Sequence, residues 1–255
     1  MSARSYTRAQ IASVIDHSVL QPQLTTEDAR AAILLGRDLG AASCCVRPCD
    51  VPLAAELLAG SATAVSTVIG FPHGSSTTES KVFEARQALA AGAVELDLVC
   101  NVARLRSGDV EYVQRDIAAV VAECAASSGR AFVKVILENA YLSDEQKRAG
   151  CRAAEAAGAA FVKTSTGFAV VAADKPAGAT IPDLLLMRDS VSSKVRVKAA
   201  GGVRTLDALL DVLSVGATRV GATATKAMLD EFDKRAVDGV LTVTKATAAS
   251  ISNAY

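Results

Sequence analysis

Four charged residues stand where the chain should be dry. Lys163 lies in the apolar run Phe161-Val-Lys-Thr-Ser-Thr-Gly167, which ends in a small, hydroxyl-rich turn. Lys134 interrupts the apolar stretch Ala131–Glu138, Lys198 the stretch Lys194–Ala200, and Asp97 the stretch Val94–Cys100. Burying several lysines against few carboxylates is costly unless a deprotonated amine is the purpose. A neighbouring cation lowers a lysine's pKa and leaves a neutral amine able to attack a carbonyl. The residue types therefore point to covalent catalysis by Lys163, with Lys198 as the neighbouring cation and Asp97 as the carboxylate.

The elements that must position these residues alternate strictly. Residues 7–15 read as an opening helix with Thr7 as a possible N-cap, and 16–20 as a brief strand. Thr25 or Thr26 caps a helix to about residue 39, Ser143 caps 144–157, and helices follow over 51–59, 79–91, 109–126, 180–190, 205–215 and 223–231. Strands intervene at 41–46, 62–69, 94–100, 131–138, 160–165, 195–198 and 217–221. Gly-Ala followed by a short apolar run recurs at Gly40, Gly92, Gly158 and Gly216, each a helix-ending glycine feeding a strand. Eight βα units in 255 residues predict a single-domain TIM (β/α)8 barrel over residues 1–255, with a mobile C-terminal tail. An open doubly wound sheet fits less well, because no GxGxxG turn follows the first strand.

Strand alternation then orients the charges. Val133, Val135 and Leu137 would face the helices, which sends Lys134, Ile136 and Glu138 inward. The same rule puts Lys163, Lys198, Arg196, Glu95 and Asp97 inside. Glu95 and Arg196 lie near strand starts and read as a structural ion network. Asp97, Lys163 and Lys198 lie toward strand C-terminal ends, where barrel active sites are built.

Composition narrows the function further. The formal charge is zero and both signs are interspersed, which argues against nucleic acid. No apolar run reaches the length of a membrane span, and no signal pattern opens the chain, so the cytoplasm is the expected location. The six cysteines are expected as free thiols. Cys44, Cys45 and Cys49 lack the paired spacing of a zinc site, and the two histidines, His17 and His73, are far apart. Neither a metal nor an organic cofactor is expected.

Gly201-Gly-Val-Arg-Thr205 follows the seventh strand, and Gly221-Ala-Thr-Ala-Thr225 the eighth. These two loops and a nearby helix N-terminus form the phosphate site of many barrels. Backbone N–H groups of the glycines, the Thr223 hydroxyl and Arg204 would serve it. Gly-Gly after a strand is by itself only a turn; beside a candidate catalytic lysine on the same face, phosphate becomes the favoured reading.

The chain resembles the 2-deoxyribose-5-phosphate aldolases from about Ile15 to Leu229. The motifs are Ile15-Asp-His-Ser-Val-Leu20, Val68-Ile-Gly-Phe-Pro-His-Gly74, Glu95-Leu-Asp-Leu-Val-Cys-Asn101, Val133-Lys-Val-Ile-Leu-Glu138, Phe161-Val-Lys-Thr-Ser-Thr-Gly-Phe168 and Val197-Lys-Ala-Ala-Gly-Gly-Val-Arg204. The resemblance implies a TIM-barrel class I aldolase that forms its Schiff base on Lys163. It makes Lys198 the lysine that perturbs Lys163 and joins proton transfer, and Asp97 the carboxylate of a proton relay through water. Asp16 and Cys45 would line the substrate pocket, Asp16 against a substrate hydroxyl, and Gly167, Gly201, Gly202, Gly221 and Thr223 would bind phosphate; Lys134, turned inward by alternation, is expected among the substrate- or phosphate-binding residues. The implied partners are a small phosphosugar and acetaldehyde, in a homodimer. Two departures stand out: a long loop over 168–180 on the catalytic face, which bears on acceptor choice or pocket access, and Ala224 where a serine is common. Some relatives bring a terminal tyrosine to the site, but the tail around Tyr255 matches poorly and a disordered end is the simpler account. A class I aldolase for another phosphosugar and a non-catalytic sugar-phosphate-binding barrel are the competing readings.

Overall fold

The structure is a computed structural model that describes residues 4–127, 130–173 and 176–243. Residues 244–255, Tyr255 among them, lie outside the described residues. Eight parallel strands close into a barrel: β2 (Ile15–Val19), β3 (Ser43–Val46), β4 (Ala64–Ile69), β5 (Glu95–Val99), β6 (Phe132–Ile136), β7 (Phe161–Lys163), β8 (Arg196–Ala200) and β9 (Ala217–Ala222). The helices that alternate with them include α2 (Thr26–Asp38), α4 (Thr78–Ala90), α6 (Val110–Ala126), α7 (Asp144–Ala156), α8 (Ile181–Asp189), α9 (Leu206–Ser214) and α10 (Thr225–Arg235).

Alternation decides which side of each strand meets the helices. Leu96, Leu98, Val133, Val135, Leu137, Val162 and Val197 all join the outer core with the helices. Their neighbours Asp97, Lys134, Lys163 and Lys198 are buried on the other side, as the pattern predicts. Register completes the arrangement. Asp97 pairs with Lys134 across β5–β6, and Lys163 with Lys198 across β7–β8.

Helix ends follow local chemistry. Thr25 caps α2 and Ser143 caps α7, each in a reciprocal capping box, with Asp28 and Gln146 returning the bond. Gly92 and Gly216, at φ 107° and 99°, close α4 and α9 in a conformation that a side chain would resist.

Three features depart from the sequence reading. The expected 7–15 helix is shorter (α1, Arg8–Ala12), ending at its C-cap Ser13 because β2 already begins at Ile15, and an unexpected β1 (Arg4–Thr7) precedes it and pairs antiparallel with β10 (Val240–Val243) in a separate two-stranded sheet. A short helix, α5 (Val102–Arg106), precedes α6, capped by the Asn101 side chain. Third, β9 carries one extra residue against β8. Val197 pairs with Ala217, but Lys198 pairs with Arg219, so Thr218 bulges and Arg219 turns inward beside Lys198.

A second buried ion pair lies in the helix layer. Lys81 of α4 donates to Asp116 Oδ2 of α6 at 2.6 Å and to the Val99 carbonyl at 3.0 Å, while Thr78 donates to Asp116 Oδ1 at 2.8 Å. Both charged side chains are fully buried. Removing one partner strands the other. Lys81→Met should therefore lower stability by about 3–5 kcal/mol, and Lys81→Met/Asp116→Leu should recover most of that loss. Urea unfolding midpoints check both; an unchanged single variant would contradict the account.

Candidate active site

The inward-facing charges form one connected cluster. Lys134 Nζ lies 2.6 Å from Glu95 Oε2 and donates to Asp16 Oδ2 at 3.0 Å. It also stands 3.0 Å from Asp97 Oδ1, in charge contact but without the alignment of a hydrogen bond. Arg219 pairs with Asp16 and with Glu95 Oε2, the latter at 3.2 Å. Lys198 donates to Asp16 and, at 2.7 Å, to Asp97 Oδ2. Lys163 reaches that same oxygen at 2.6 Å. Ser43 Oγ donates to Asp16 Oδ1 at 2.7 Å.

Four cations thus face three carboxylates, and the carboxylates are shared unevenly. Lys134 has three, Lys198 two, and Lys163 only one, which Lys198 also uses. Burial pushes every one of these ammonium groups toward the neutral form. For Lys134 and Lys198 the carboxylates overcome burial and hold the pKa above the ordinary lysine value. For Lys163 burial wins, the Lys198 cation adds to it, and the single Asp97 contact does not compensate, so the pKa is lowered. Asp16 and Asp97 move the other way. Their burial is opposed by the surrounding cations, and both stay ionised well below the ordinary carboxylate range.

Lys163 and Lys198 open into a cavity of about 260 Å³, the scale of a small-metabolite pocket. Asp16 and Cys45 line one side. The Cys45 thiol is buried and pushed up in pKa, so it stays protonated. The loop region expected for phosphate lines the same cavity: Gly167, Gly201, Gly202, Arg204, Gly221 and Thr223 are all part of its wall. Gly201 and Gly202 take φ of 81° and 80° in succession, a backbone path that favours glycine. A Cβ at Gly221 would stand 3.4 Å from Lys198 Cε and Ala200 Cβ, so the glycine keeps the cavity open above the lysine. Lys134, expected at the substrate, instead sits beneath the cavity, fully buried among its carboxylates.

Further residues frame the barrel interior and its rim, of which Arg219 is the one that alternation does not bring inward. Arg219 anchors Asp16 and Glu95. Arg196 lies over the Phe161 ring, 4.0 Å from its centroid, which is a cation–π contact where an ion network was expected. Glu138, at φ 59°, accepts from both the backbone N–H and the hydroxyl of Thr166 and so fixes the turn after β7. In the long loop that follows, Phe168 meets Phe71 edge-on at 5.3 Å, and Tyr141 Oη accepts from Val170 N at 2.8 Å. Among the described residues, no group of three or more His, Cys, Asp or Glu is arranged to hold a metal ion. The clustered carboxylates already face ammonium and guanidinium groups.

The charge asymmetry gives opposite stability signs. Asp16 and Asp97 contribute stability that is present above their unfolded pKa of about 3.9 and lost as pH falls below it. Lys134 and Lys198 contribute stability that is present below about pH 10.4 and lost as pH rises through their folded values. Lys163, with its lowered pKa, costs stability below about pH 10.4. At neutral pH, Lys163→Met should therefore raise the urea midpoint, whereas Lys134→Met should lower stability by about 3–5 kcal/mol. Equal losses from both would contradict this electrostatic reading.

The comparisons with known proteins agree on one group. Residues 11–243 match the family described as DeoC/LacD family aldolase. A deoxyribose-phosphate aldolase of Bacillus mycoides is 47% identical over 228 residues, covering 89% of this chain and 98% of that protein. One from Caldanaerobacter subterraneus subsp. tengcongensis is 44% identical over 225 residues, covering 88% and 94%. Among solved structures, the aldolase QR15 aligns with a TM-score of 0.80 at 34% identity, covering 88% of this chain and 96% of that chain. A tetrameric deoxyribose phosphate aldolase from Aeropyrum pernix aligns with a TM-score of 0.80 at 29% identity, covering 89% and 92%.

Proposed function

Because the chain belongs to the DeoC/LacD aldolase family, we propose that it reversibly cleaves 2-deoxy-D-ribose 5-phosphate to acetaldehyde and D-glyceraldehyde 3-phosphate through a Schiff base on Lys163. One observation carries the assignment of the nucleophile. Of the buried lysines in the charge cluster, Lys163 alone has a lowered pKa, and it opens into the cavity.

In the synthetic direction, neutral Lys163 Nζ attacks the acetaldehyde carbonyl carbon and gives a carbinolamine. Loss of water leaves a protonated imine, the electron sink of the reaction. The new positive charge forms 2.6 Å from Asp97 Oδ2, which is already ionised, so little reorganisation is needed. Asp97 and Lys198, acting through water, take the methyl proton and leave an enamine. The enamine carbon attacks the aldehyde of the phosphorylated acceptor, and water then hydrolyses the product imine to regenerate the amine. Gly167, Gly201, Gly202, Arg204, Gly221 and Thr223, all in the cavity wall, hold the phosphate, so that binding energy away from the new bond orients the substrate. Asp16 faces a substrate hydroxyl. Lys134 sets the field beneath the reacting groups.

For the assembly we hold to a homodimer on the family resemblance. The Aeropyrum pernix relative is tetrameric, and sedimentation analysis separates the two states. A cytoplasmic location accords with the described helices, none of which is long and apolar enough to cross a membrane.

Borohydride reduction in the presence of acetaldehyde, followed by peptide mass mapping, tests the mechanism. A single reduced adduct on Lys163 is expected, absent in Lys163→Ala. Asp97→Asn should slow turnover by about 10²–10⁴-fold. An adduct on Lys198 would overturn the assignment of the nucleophile. No adduct, while the sugar phosphate still binds, would favour a non-catalytic binding barrel.

A further inference from the structure

His17 has no place in the chemistry above, yet the fold makes room for it. It lies on β2 between the pocket residues Asp16 and Ser18 and is 4% exposed. Its side chain points away from the cavity, into the layer between β3 and α2. There Gly36 of α2 comes so close that an added Cβ would stand 3.1 Å from His17 Cδ2 and 2.5 Å from Cys44 Sγ. A glycine inside a helix costs roughly 1 kcal/mol relative to alanine, so accommodating this ring carries a stability cost. Burial also lowers the imidazole pKa and keeps the ring neutral. In this dry layer the ring nitrogen Nδ1 makes a 2.8 Å hydrogen bond to Thr225 Oγ1.

Thr225 is the first residue of α10, and it is fully buried. The start of α10 is unlike that of α2, α4, α7, α8 and α9, where a first-turn backbone N–H donates to a Ser or Thr cap. At α10 the N-cap is Ala224, with no side-chain cap. The orphan N–H groups of this turn are left for another partner, and Gly221, Ala222 and Thr223 just before it line the cavity. A helix end with no cap of its own loses the hydrogen bond that would fix where the first turn begins. The His17–Thr225 bond supplies a fixed point from outside the helix, and it ties that point to the strand that carries Asp16.

We infer that His17 is a positioning residue for phosphate recognition: its bond to Thr225 holds the uncapped first turn of α10 in register with the cavity. The inference rests on the phosphate end of the reading above. His17 acts on binding of the phosphorylated sugar and not on the chemistry at Lys163. The device lies behind the cavity wall, in contact with the loop it positions and out of contact with the reacting atoms.

Steady-state kinetics on 2-deoxyribose 5-phosphate and on unphosphorylated 2-deoxyribose test this, with His17→Phe, His17→Asn, Thr225→Val and Thr225→Ser. His17→Phe keeps the ring but not the bond; Thr225→Val breaks the same bond from the other side and leaves the histidine in place. Loss of one buried hydrogen bond predicts a rise in KM for the phosphorylated sugar of about 5–10-fold in both. Their kcat, their kcat/KM on 2-deoxyribose and their yield of the acetaldehyde imine should remain at the wild-type level. Thr225→Ser, which retains the hydroxyl, should behave as wild type, and His17→Asn, whose amide can reach toward Thr225, should recover most of the loss. A wild-type enzyme that prefers the phosphorylated sugar while Thr225→Val keeps its KM would overturn the positioning role alone. Equal losses on both sugars would also overturn it, as the mark of general destabilisation. A wild-type enzyme that treats the two sugars alike would overturn the phosphate reading, and this role with it.

Discussion

An excess of one positive charge inside a dry barrel is the constraint on which the rest depends. Lys134, Lys163, Lys198 and Arg219 share Asp16, Glu95 and Asp97. A buried cation without its own anion is costly, and the least expensive relief is to lose a proton. Arg219 cannot do so, Lys134 is held by three carboxylates and Lys198 by two. The lowered pKa falls on Lys163, the side chain with the smallest share and with access to the cavity. The nucleophilicity proposed for Lys163 is thus a property of the whole charge set, and its stability cost is one that the proposed function requires.

The fold supplies this charge set through register. Parallel strands place Asp97 beside Lys134 and Lys163 beside Lys198, while the bulge at Thr218 brings Arg219 next to Lys198. The same strand ends lead into loops whose glycines open the cavity and whose last helix begins without a cap. The proposed covalent chemistry and the proposed phosphate binding therefore share one cavity.

Much of this was legible in the sequence, for a simple reason. Where Val and Leu alternate with charges, as around Asp97, Lys134 and Lys198, a period of two decides which side is the interior. Arg219 escaped because the bulge breaks that period: counted from the outward Ala217, strict alternation would send Arg219 out toward the helices. The β1–β10 pairing escaped because its partners are short and lie at opposite ends of the chain, with no local signal joining them. The Lys81–Asp116 pair escaped because a charge on a surface helix ordinarily faces solvent, although Lys81 shares the buried face of α4 with Ala85 and Ala88 at helical spacing. Lys134 was oriented correctly but placed too near the substrate, since alternation gives the side of a strand and not the depth. The role of Asp16 came from family resemblance alone, because its strand, flanked by His17 and Ser18, lacks apolar alternation.

The central claim is that burial and the neighbouring Lys198 cation hold the Lys163 pKa below that of an ordinary lysine. The most direct measurement is a pH titration of the lysine Nζ resonances by NMR, with Lys163 and Lys198 assigned from single substitutions. The account predicts that Lys163 titrates below the ordinary lysine value of about 10.4 and Lys198 above it, and that Lys198→Met moves Lys163 upward. A Lys163 that titrates at or above the ordinary value, or one that Lys198→Met leaves unmoved, would contradict it.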